Sequence, residues 1–562
     1  MFRNHPIGLY TLSFTNTCER FGHYIVLAIF TLFLQVKFGF SVAYTSTIIG
    51  IFLSFVYFTP ILGGIIADKF WGYRKTIKIG ILVMFIGYLL LALCVKFLWR
   101  KNIVLFFVMF ALFIISIGIG FFKGNLQVLV GNLYDNKQYR TQRDNAYSIY
   151  YMSLNIGTLF APTVAKKITD FVLYGSGLFY NAKIPVLAHQ FINKTINPVG
   201  VIELTNLAVV HPIRIANLFT FSKFYVDNLS ESYGCVFWMA CFVHICLMII
   251  YFFSRRTYEN INCHLKQFSF PSDQGMKILL TQKQTKKKII ALVQVYFIVI
   301  FFWMSFDQNL LTLTFFARDY VVNEVKGFNR IEFDVISLSL IALSIYSLIG
   351  IFKSKNKKWK LIFIIALIIT VMLIVFKYNC NMNSKISIRP ELFQQFNPFF
   401  VIILTPIFVC LFDFLAKKEK EPSAPCKIGI AMIIASLGYA ILAIGSFDLP
   451  SPSELMNFGG ISNILLSPNW LVIIYFFLTS AELLLSPIGI SFVSKVAPIQ
   501  YKGLLMGGWF ASTAIGGYLV SFIGYLWGNM QLWKVWGVIV ACCLSSAIYT
   551  FSIIKKLENA SK

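Results

Sequence analysis

"GGIIADKFWGYRK", residues 63–75, closes one long apolar run and opens the next. Gly63, Gly64 and Gly72 allow close backbone approach and a tight turn. Asp68 stands midway between Gly64 and Gly72, and Arg74 and Lys75 follow at once. The Gly-x-x-x-Asp-x-x-x-Gly spacing sets an acid against two cations at one helix–helix turn. That spacing sets the turn apart from an ordinary polar loop.

Outward from this turn the chain is apolar nearly throughout. It has 562 residues, of which 58% are hydrophobic and 13% charged, whereas soluble domains carry about 25% charged residues. Apolar stretches of about 20 residues, enough to cross a bilayer core, recur at 7–36, 44–68, 75–97, 103–130, 145–172 and 234–254. A second set follows at 288–316, 334–352, 359–377, 396–416, 426–447, 469–494, 503–527 and 531–553. The expectation is an all-α integral membrane protein with about 14 spans. The first run is too long and too polar for a cleaved signal peptide.

The formal charge of +26 does not indicate nucleic acid, because Lys and Arg gather in the short loops between spans, as in "KSKNKKWK" and "AKKEK". Alternate loops are basic, so the positive-inside rule puts both termini in the cytoplasm. Eleven cysteines are scattered without the paired spacing of a zinc site or disulfide framework. No nucleophile–base spacing, metal-ligand cluster or phosphate loop suggests an enzyme.

Two regions interrupt the regular pattern. Residues 173–233 form a long external insert whose "PVGVIELTNLAVVH" is rich in β-branched residues, and a partly ordered, β-containing insert is expected. Residues 334–377 form an apolar hairpin around a five-lysine turn, read as a peripheral packing element. Without it, twelve spans remain. They give a six-span N-terminal bundle (1–254), a basic cytoplasmic linker (255–287) and a six-span C-terminal bundle (288–562).

The ionisable residues well inside spans are few: Glu19, Arg20, Lys123, Asp307 and Glu482. Charges at such depth cost free energy, so they face the interior and pair there. The first three sum to +1 and the last two to −2. A zwitterion between the two groups would turn its carboxylate to the first and its ammonium to the second. Glu19 and Arg20 are adjacent in sequence and so lie on neighbouring rather than shared helix faces. Each is expected to find its partner on another helix.

Several motifs carry a family resemblance. "GGIIADKFWGYRK" is similar to the loop signature of the major facilitator superfamily, in which Asp68 and Arg74 would be gate residues. "ERFGHY" (19–24) and "GFFKGNLQVLVGNLYD" with "SIYYMSLNIGTLFAP" (120–162) resemble signatures of the proton-dependent oligopeptide transporters, the POT or PTR family. Lys123, Asn125, Tyr150, Tyr151 and Asn155 stand at matching places. "FFWMSFDQ" (301–308), "FNPFFVIILTPIF" (396–408), "KEPSAPCK" (420–427) and "SAELLLSPIGISFVSKVAP" (480–498) follow in the family's order. The resemblance covers the twelve core spans and leaves out the insert and the hairpin.

The resemblance implies a major facilitator fold of two six-helix bundles. It implies proton-coupled import of di- and tripeptides by alternating access in a bacterial inner membrane. No cofactor is expected beyond a proton gradient. The partners implied are peptide, protons and lipid, not nucleic acid, and the chain is expected to be a monomer. By correspondence, Glu19, Arg20, Lys123 and Asp307 would couple protons. Tyr24, Tyr57, Lys123, Asn155, Asn397, Glu482 and Trp509 would contact the substrate.

The chain also departs from the family pattern. Asn16 replaces the motif's first glutamate, Leu27 stands where many members carry a second arginine, and His23 replaces the first tyrosine of a pair. These changes bear on proton stoichiometry and ligand choice. They keep open the same fold carrying nitrate, an amino-acid conjugate or another anion. A non-transporting receptor or scaffold that uses the insert is the alternative of a different class.

Overall fold

The computed structural model describes residues 5–96, 101–134, 143–211, 217–254, 282–354, 356–381, 384–455, 460–498 and 502–561. A first group of helices comprises α1 (Ile7–Phe38), α2 (Val42–Ile66), α3 (Gly72–Lys96), α4 (Lys101–Asn132) and α5 (Arg143–Gly175). It continues through α6 (Lys183–Ile192), α7 (Pro198–Val210) and α8 (Leu218–Phe253). The second group begins with α9 (Gln282–Phe306) and α10 (Thr312–Asp319), then α11 (Val335–Lys353), α12 (Lys357–Asn381) and α13 (Phe396–Lys417). It ends with α14 (Ala424–Gly445), α15 (Asn469–Val496), α16 (Lys502–Asn529) and α17 (Leu532–Ser552).

Fourteen of these helices have nineteen residues or more, and they lie where the sequence placed its fourteen apolar segments. Among the described residues, twelve helical stretches are long and apolar enough to cross a membrane, one of them being the continuous run Val42–Lys96. That run contains α2, α3 and the π-turn Ala67–Trp71 between them. Helix α5, with 33 residues, is long enough as well but more polar, with Asn155, Lys166, Lys167 and Asp170 along it. Helices dominate because every backbone polar group in lipid must be satisfied within its own segment. The chain is a multi-pass membrane protein.

Local chemistry explains the boundaries. Gly72 has φ +71°, a conformation that a side chain would oppose, and it lets the backbone leave the π-turn and enter α3. Ser41 accepts a hydrogen bond from the Tyr44 amide at the start of α2, and Asp334 accepts from Ser337 at the start of α11.

The insert differs from its expectation. Among the described residues it is helical, holding α6, α7 and the first sixteen residues of α8, with no strand. The β-branched run of α7 is started by Asn197, which caps the Gly200 amide, with Pro198 at the first helical position. Capping and the helical register of the neighbouring chain override local β-propensity. The described strands are two residues each, Glu324–Val325 paired antiparallel with Ile386–Ser387, and they join the segments flanking the α11–α12 hairpin. The linker expected at 255–287 lies outside the described residues up to 281.

The hairpin lies at the edge of the fold. Lys377 and Asp334 form an ion pair across its base, and Tyr346 donates to the Ile402 carbonyl of α13 at 3.0 Å. Only 6% of the most apolar window of α12 is buried. The first α-helix is the opposite case, with 78% of its window buried.

Candidate functional site

Helix α1 carries Glu19 and Arg20, 0% and 4% exposed. Among the described residues they pair with each other rather than with another helix. Arg20 Nε donates to Glu19 Oε2 at 2.5 Å and Nη2 to Oε1 at 2.8 Å, a two-pronged pair within one helix. This corrects the sequence expectation. Neighbouring backbone positions diverge, but the long guanidinium stem can fold back, and its planar fork matches both carboxylate oxygens. Buried together, the two charges neutralise each other locally.

Lys123 of α4 is different. Its ammonium lies 5.1 Å from the centre of the Tyr57 ring on α2. Among the described residues no carboxylate lies within ion-pair distance of it, although Glu19 and Asp307 are within electrostatic reach. Tyr57 in turn meets Trp303 of α9 with ring centroids 5.7 Å apart, so this aromatic contact spans the two helix groups. Tyr24 shares the electrostatic neighbourhood of Arg20, Glu482 and Asp307.

On the other side, α9 ends at Phe306 and breaks into a 3-10 turn, Asp307–Leu310. Gln308 stabilises the break by donating to Met304 O at 3.0 Å and accepting from Thr312 at 2.7 Å. The break leaves Asp307 3% exposed, with Oδ2 lacking a hydrogen-bond partner. Glu482 of α15 is oriented by Asn397 of α13, whose Nδ2 donates to Oε2 at 2.9 Å and to Thr479 at 3.1 Å. Asp307 and Glu482 also lie within electrostatic reach of each other. Among the described residues, then, Lys123 of the first helix group has no acid partner, and the nearby Asp307 and Glu482 of the second group have no cation partner.

The remaining expected residues are placed as follows. Asn155 of α5 is 5% exposed and donates to Tyr151 O of its own helix at 2.9 Å. Trp509 of α16 is 2% exposed, its indole lodged over Gly489 of α15, where a Cβ would come within 2.1 Å of the ring. It packs α15 against α16. At the π-turn, Asp68 is exposed and accepts a 2.5 Å hydrogen bond from the Tyr73 hydroxyl. Arg74 is half-buried on the same turn. Asn16 is buried beside the motif, with its Nδ2 lacking a partner.

Sequence reasoning missed a second charged region, at the end of the molecule that carries the insert. Arg389, 1% exposed, makes an ion pair with Asp170 of α5, which also holds Lys166 at 3.0 Å. The Arg389 guanidinium lies 4.1 Å over the Tyr180 ring, and Glu391 follows 3.8 Å away with both oxygens free of hydrogen bonds. Arg318, paired two-pronged with Asp319, also reaches Gln35 of α1. Thr31 donates to Leu310 O at 2.8 Å, Thr163 to Gln395 at 3.0 Å and Ser521 to Ser46 O at 3.1 Å. The contacts of Arg389 with Asp170 and Tyr180, of Arg318 with Gln35, and these three hydrogen bonds link the first helix group to the second. Their sequence signal was charge at the ends of spans, which resembles a normal membrane boundary.

Comparison with known proteins agrees with this architecture. The model of the POT family matches residues 74–178 and 361–532. The second match runs through α12, which the sequence resemblance had left outside. The dipeptide and tripeptide permease B of Xenorhabdus bovienii is 24% identical over 547 residues, covering 93% of this chain and 87% of the permease. The peptide transporter YePEPT of Yersinia enterocolitica is 24% identical, with 93% and 88% covered.

Among solved structures, a POT peptide transporter in complex with alafosfalin superposes with a TM-score of 0.68 at 19% identity, covering 100% of this chain and 97% of that one. A POT family transporter in complex with 5-aminolevulinic acid gives 0.64 at 17%, with 100% and 98% covered. The fold is thus shared end to end. The POT family model is matched in both helix groups, and the permease and transporter relatives align with this chain over nearly its whole length.

Proposed function

We propose that the chain is a proton-coupled symporter that imports di- and tripeptides by alternating access across a bacterial inner membrane. One observation carries this reading: Lys123, without an acid partner among the described residues, is in electrostatic reach of Asp307, which is in turn in reach of Glu482, held in position by Asn397. A short peptide has its carboxylate and ammonium at opposite ends and can meet both. The names of the relatives, dipeptide and tripeptide permease and peptide transporter, support the same substrate class.

The working parts are two six-helix bundles, residues 1–254 and 288–562, joined by a cytoplasmic linker, with both termini in the cytoplasm. The solute site lies between them near the midplane. Tyr24, Tyr57, Asn155, Asn397 and Trp509 would surround the peptide. Asp68 and Arg74 would close the cytoplasmic side, and a single chain would suffice for transport.

Coupling follows from charge competition. Desolvation favours the neutral form of a carboxyl, and a neighbouring cation favours the charged form. While Arg20 clasps Glu19, the acid stays ionised. When bundle movement or a change at Lys123 draws the guanidinium away, Glu19 takes a proton. Re-forming the pair releases that proton on the other side. A substrate carboxylate on Lys123 alters the balance among Arg20, Glu19 and Asp307, and so links occupancy to protonation.

The experiment is dialanine uptake into proteoliposomes under an imposed proton gradient, competed by longer peptides, free amino acids and nitrate. Accumulation driven by the gradient and competed by tripeptides supports the reading, and no accumulation of any peptide overturns it. A second reading keeps the fold and changes the solute to another small amino-acid-like zwitterion. Leu27 favours it, because one cation fewer is available for a peptide carboxylate, and one structural relative is a complex with 5-aminolevulinic acid.

A further inference from the structure

Beside the Glu19–Arg20 pair, α1 packs against α3 and α8 through two buried imidazoles. His23 Nδ1 lies 3.1 Å from the hydroxyl of Tyr88 on α3. The Tyr88 ring stands against His244 of α8, with centroids 4.6 Å apart at 41°. His23, Tyr88 and His244 are 4%, 1% and 0% exposed. Gly22 makes this contact possible, since a Cβ there would come within 2.8 Å of His244 Cε1.

The hydrogen bonds fix the proton on one ring. His244 Nδ1 lies 2.8 Å from the Ala240 carbonyl, which can only accept, so Nδ1 carries the hydrogen. In the neutral ring Nε2 is then a bare lone pair, and it is buried without a hydrogen-bond partner among the described residues. A histidine that serves only packing has no need of such an atom, and buried acceptors are as a rule satisfied. The groups with electrostatic influence on the imidazoles are Glu19 and Arg20 of α1, Lys123 of α4 and each other. Tyr24 adjoins His23 at 5.4 Å, and Cys241 acts on Tyr88. Among these, Glu19 is the one carboxylate that acts on His244.

We propose that His244 Nε2, with Tyr88 and His23 beside it, is a second proton-binding site of the transport cycle. Taking up a proton there forms an N–H bond and an imidazolium, and releasing it restores the lone pair, with no other bond changed. Tyr88 positions the site, because its ring lies against His244 and its hydroxyl holds His23. The site lies within the first helix group, outside the region between Lys123 and Glu482. It supplies a titratable group to a chain in which Asn16 is an amide. Its role in coupling rests on the symporter reading above, but its protonation does not.

The test therefore has two arms. In ring-¹⁵N-histidine NMR of the purified chain, a resonance is expected to titrate between about pH 5 and 8 and to vanish in His244→Gln. Absence of such a resonance overturns the site, whatever the chain transports. In proteoliposomes, His244→Gln is expected to lower the proton-to-dialanine ratio, measured from reversal potentials, by about one proton, with counterflow exchange retained. Tyr88→Phe keeps the ring and removes the hydroxyl, and it is expected to shift the pH profile of uptake without reducing counterflow. It decides the matter if His244→Gln fails to fold. An unchanged ratio and pH profile in the folded variants overturns the coupling role. Failure of the wild type to accumulate peptide counts against the symporter reading and leaves the NMR arm to judge the site.

Discussion

The molecule buries ionic groups at two depths and treats them in opposite ways. At the insert end, Arg389 crosses from one helix group to the other and closes on Asp170, with Lys166 and Tyr180 packed around the pair. At mid-depth, Lys123 and Glu482 also belong to different groups, yet one rests on an aromatic ring and the other on an amide. Bridged charges hold two bodies together, whereas unbridged charges of opposite sign wait for something that carries both. The contrast teaches that partner geometry, more than the presence of charge, separates a clasp from a binding site.

The largest predicted effect comes from the coupling pair. Glu19→Gln is expected to abolish uphill, proton-driven dialanine uptake while sparing counterflow exchange. Wild-type accumulation in that variant would falsify the coupling role. Next, Lys123→Ala removes the waiting cation and is expected to weaken dialanine binding by ~10- to 100-fold, the loss of a charged hydrogen bond. Glu482→Gln should act comparably through the ammonium. Equal binding by wild type and both variants would erase the difference between the two depths.

The clasp should respond more mildly. Asp170→Asn leaves Arg389 with Glu391 as a fallback, so only part of the ~3–5 kcal/mol linked with breaking a buried pair is expected. A cysteine placed at Thr163 should then label faster with a membrane-impermeant maleimide, by ~5-fold or more. An unchanged rate would show that other contacts at that end hold the groups together.

The smallest effect sharpens the comparison through pH. His189 of α6 donates to Val36 O at 2.7 Å, and burial holds its imidazole below the ordinary range. The neutral ring is the one that fits, so its stabilising contribution is present above an unfolded-state value of about 6.5 and lost as pH falls below it. The hydrogen-exchange protection of residues 183–192, taken relative to the intrinsic rate at each pH, should fall by ~2- to 5-fold on acidification. His189→Gln should remove that pH dependence.

The spans were legible because twenty apolar residues in a row admit few other structures, and the midplane charges were legible because lipid makes them rare. What escaped notice had physical causes. Glu19 and Arg20 pair through side-chain rotamers, which neighbouring positions in a sequence do not reveal. Arg389, Glu391 and Asp170 sit near span ends, where charge is ordinary, and their meeting depends on how two distant helices approach. The run 198–210 looks strand-like by residue type, but one capping asparagine followed by proline turns it into a helix. His244 was a lone histidine in an apolar run, and only the packing of Gly22 and Tyr88 against it gives it a setting.

The α11–α12 hairpin has a consequence of its own. The most apolar stretch of α12 is nearly bare of protein, and the hairpin is fastened at its base by Lys377 and Asp334 and at its flank by Tyr346. The helix is 25 residues long, with lysines in its first turn and Asn381 at its end. A helix so little packed takes its tilt from the thickness of the surrounding hydrocarbon, leaning in a thin bilayer and standing upright in a thick one. Through its tether to α13, the helix that carries Asn397, membrane thickness acquires a mechanical handle on the substrate side of the machine.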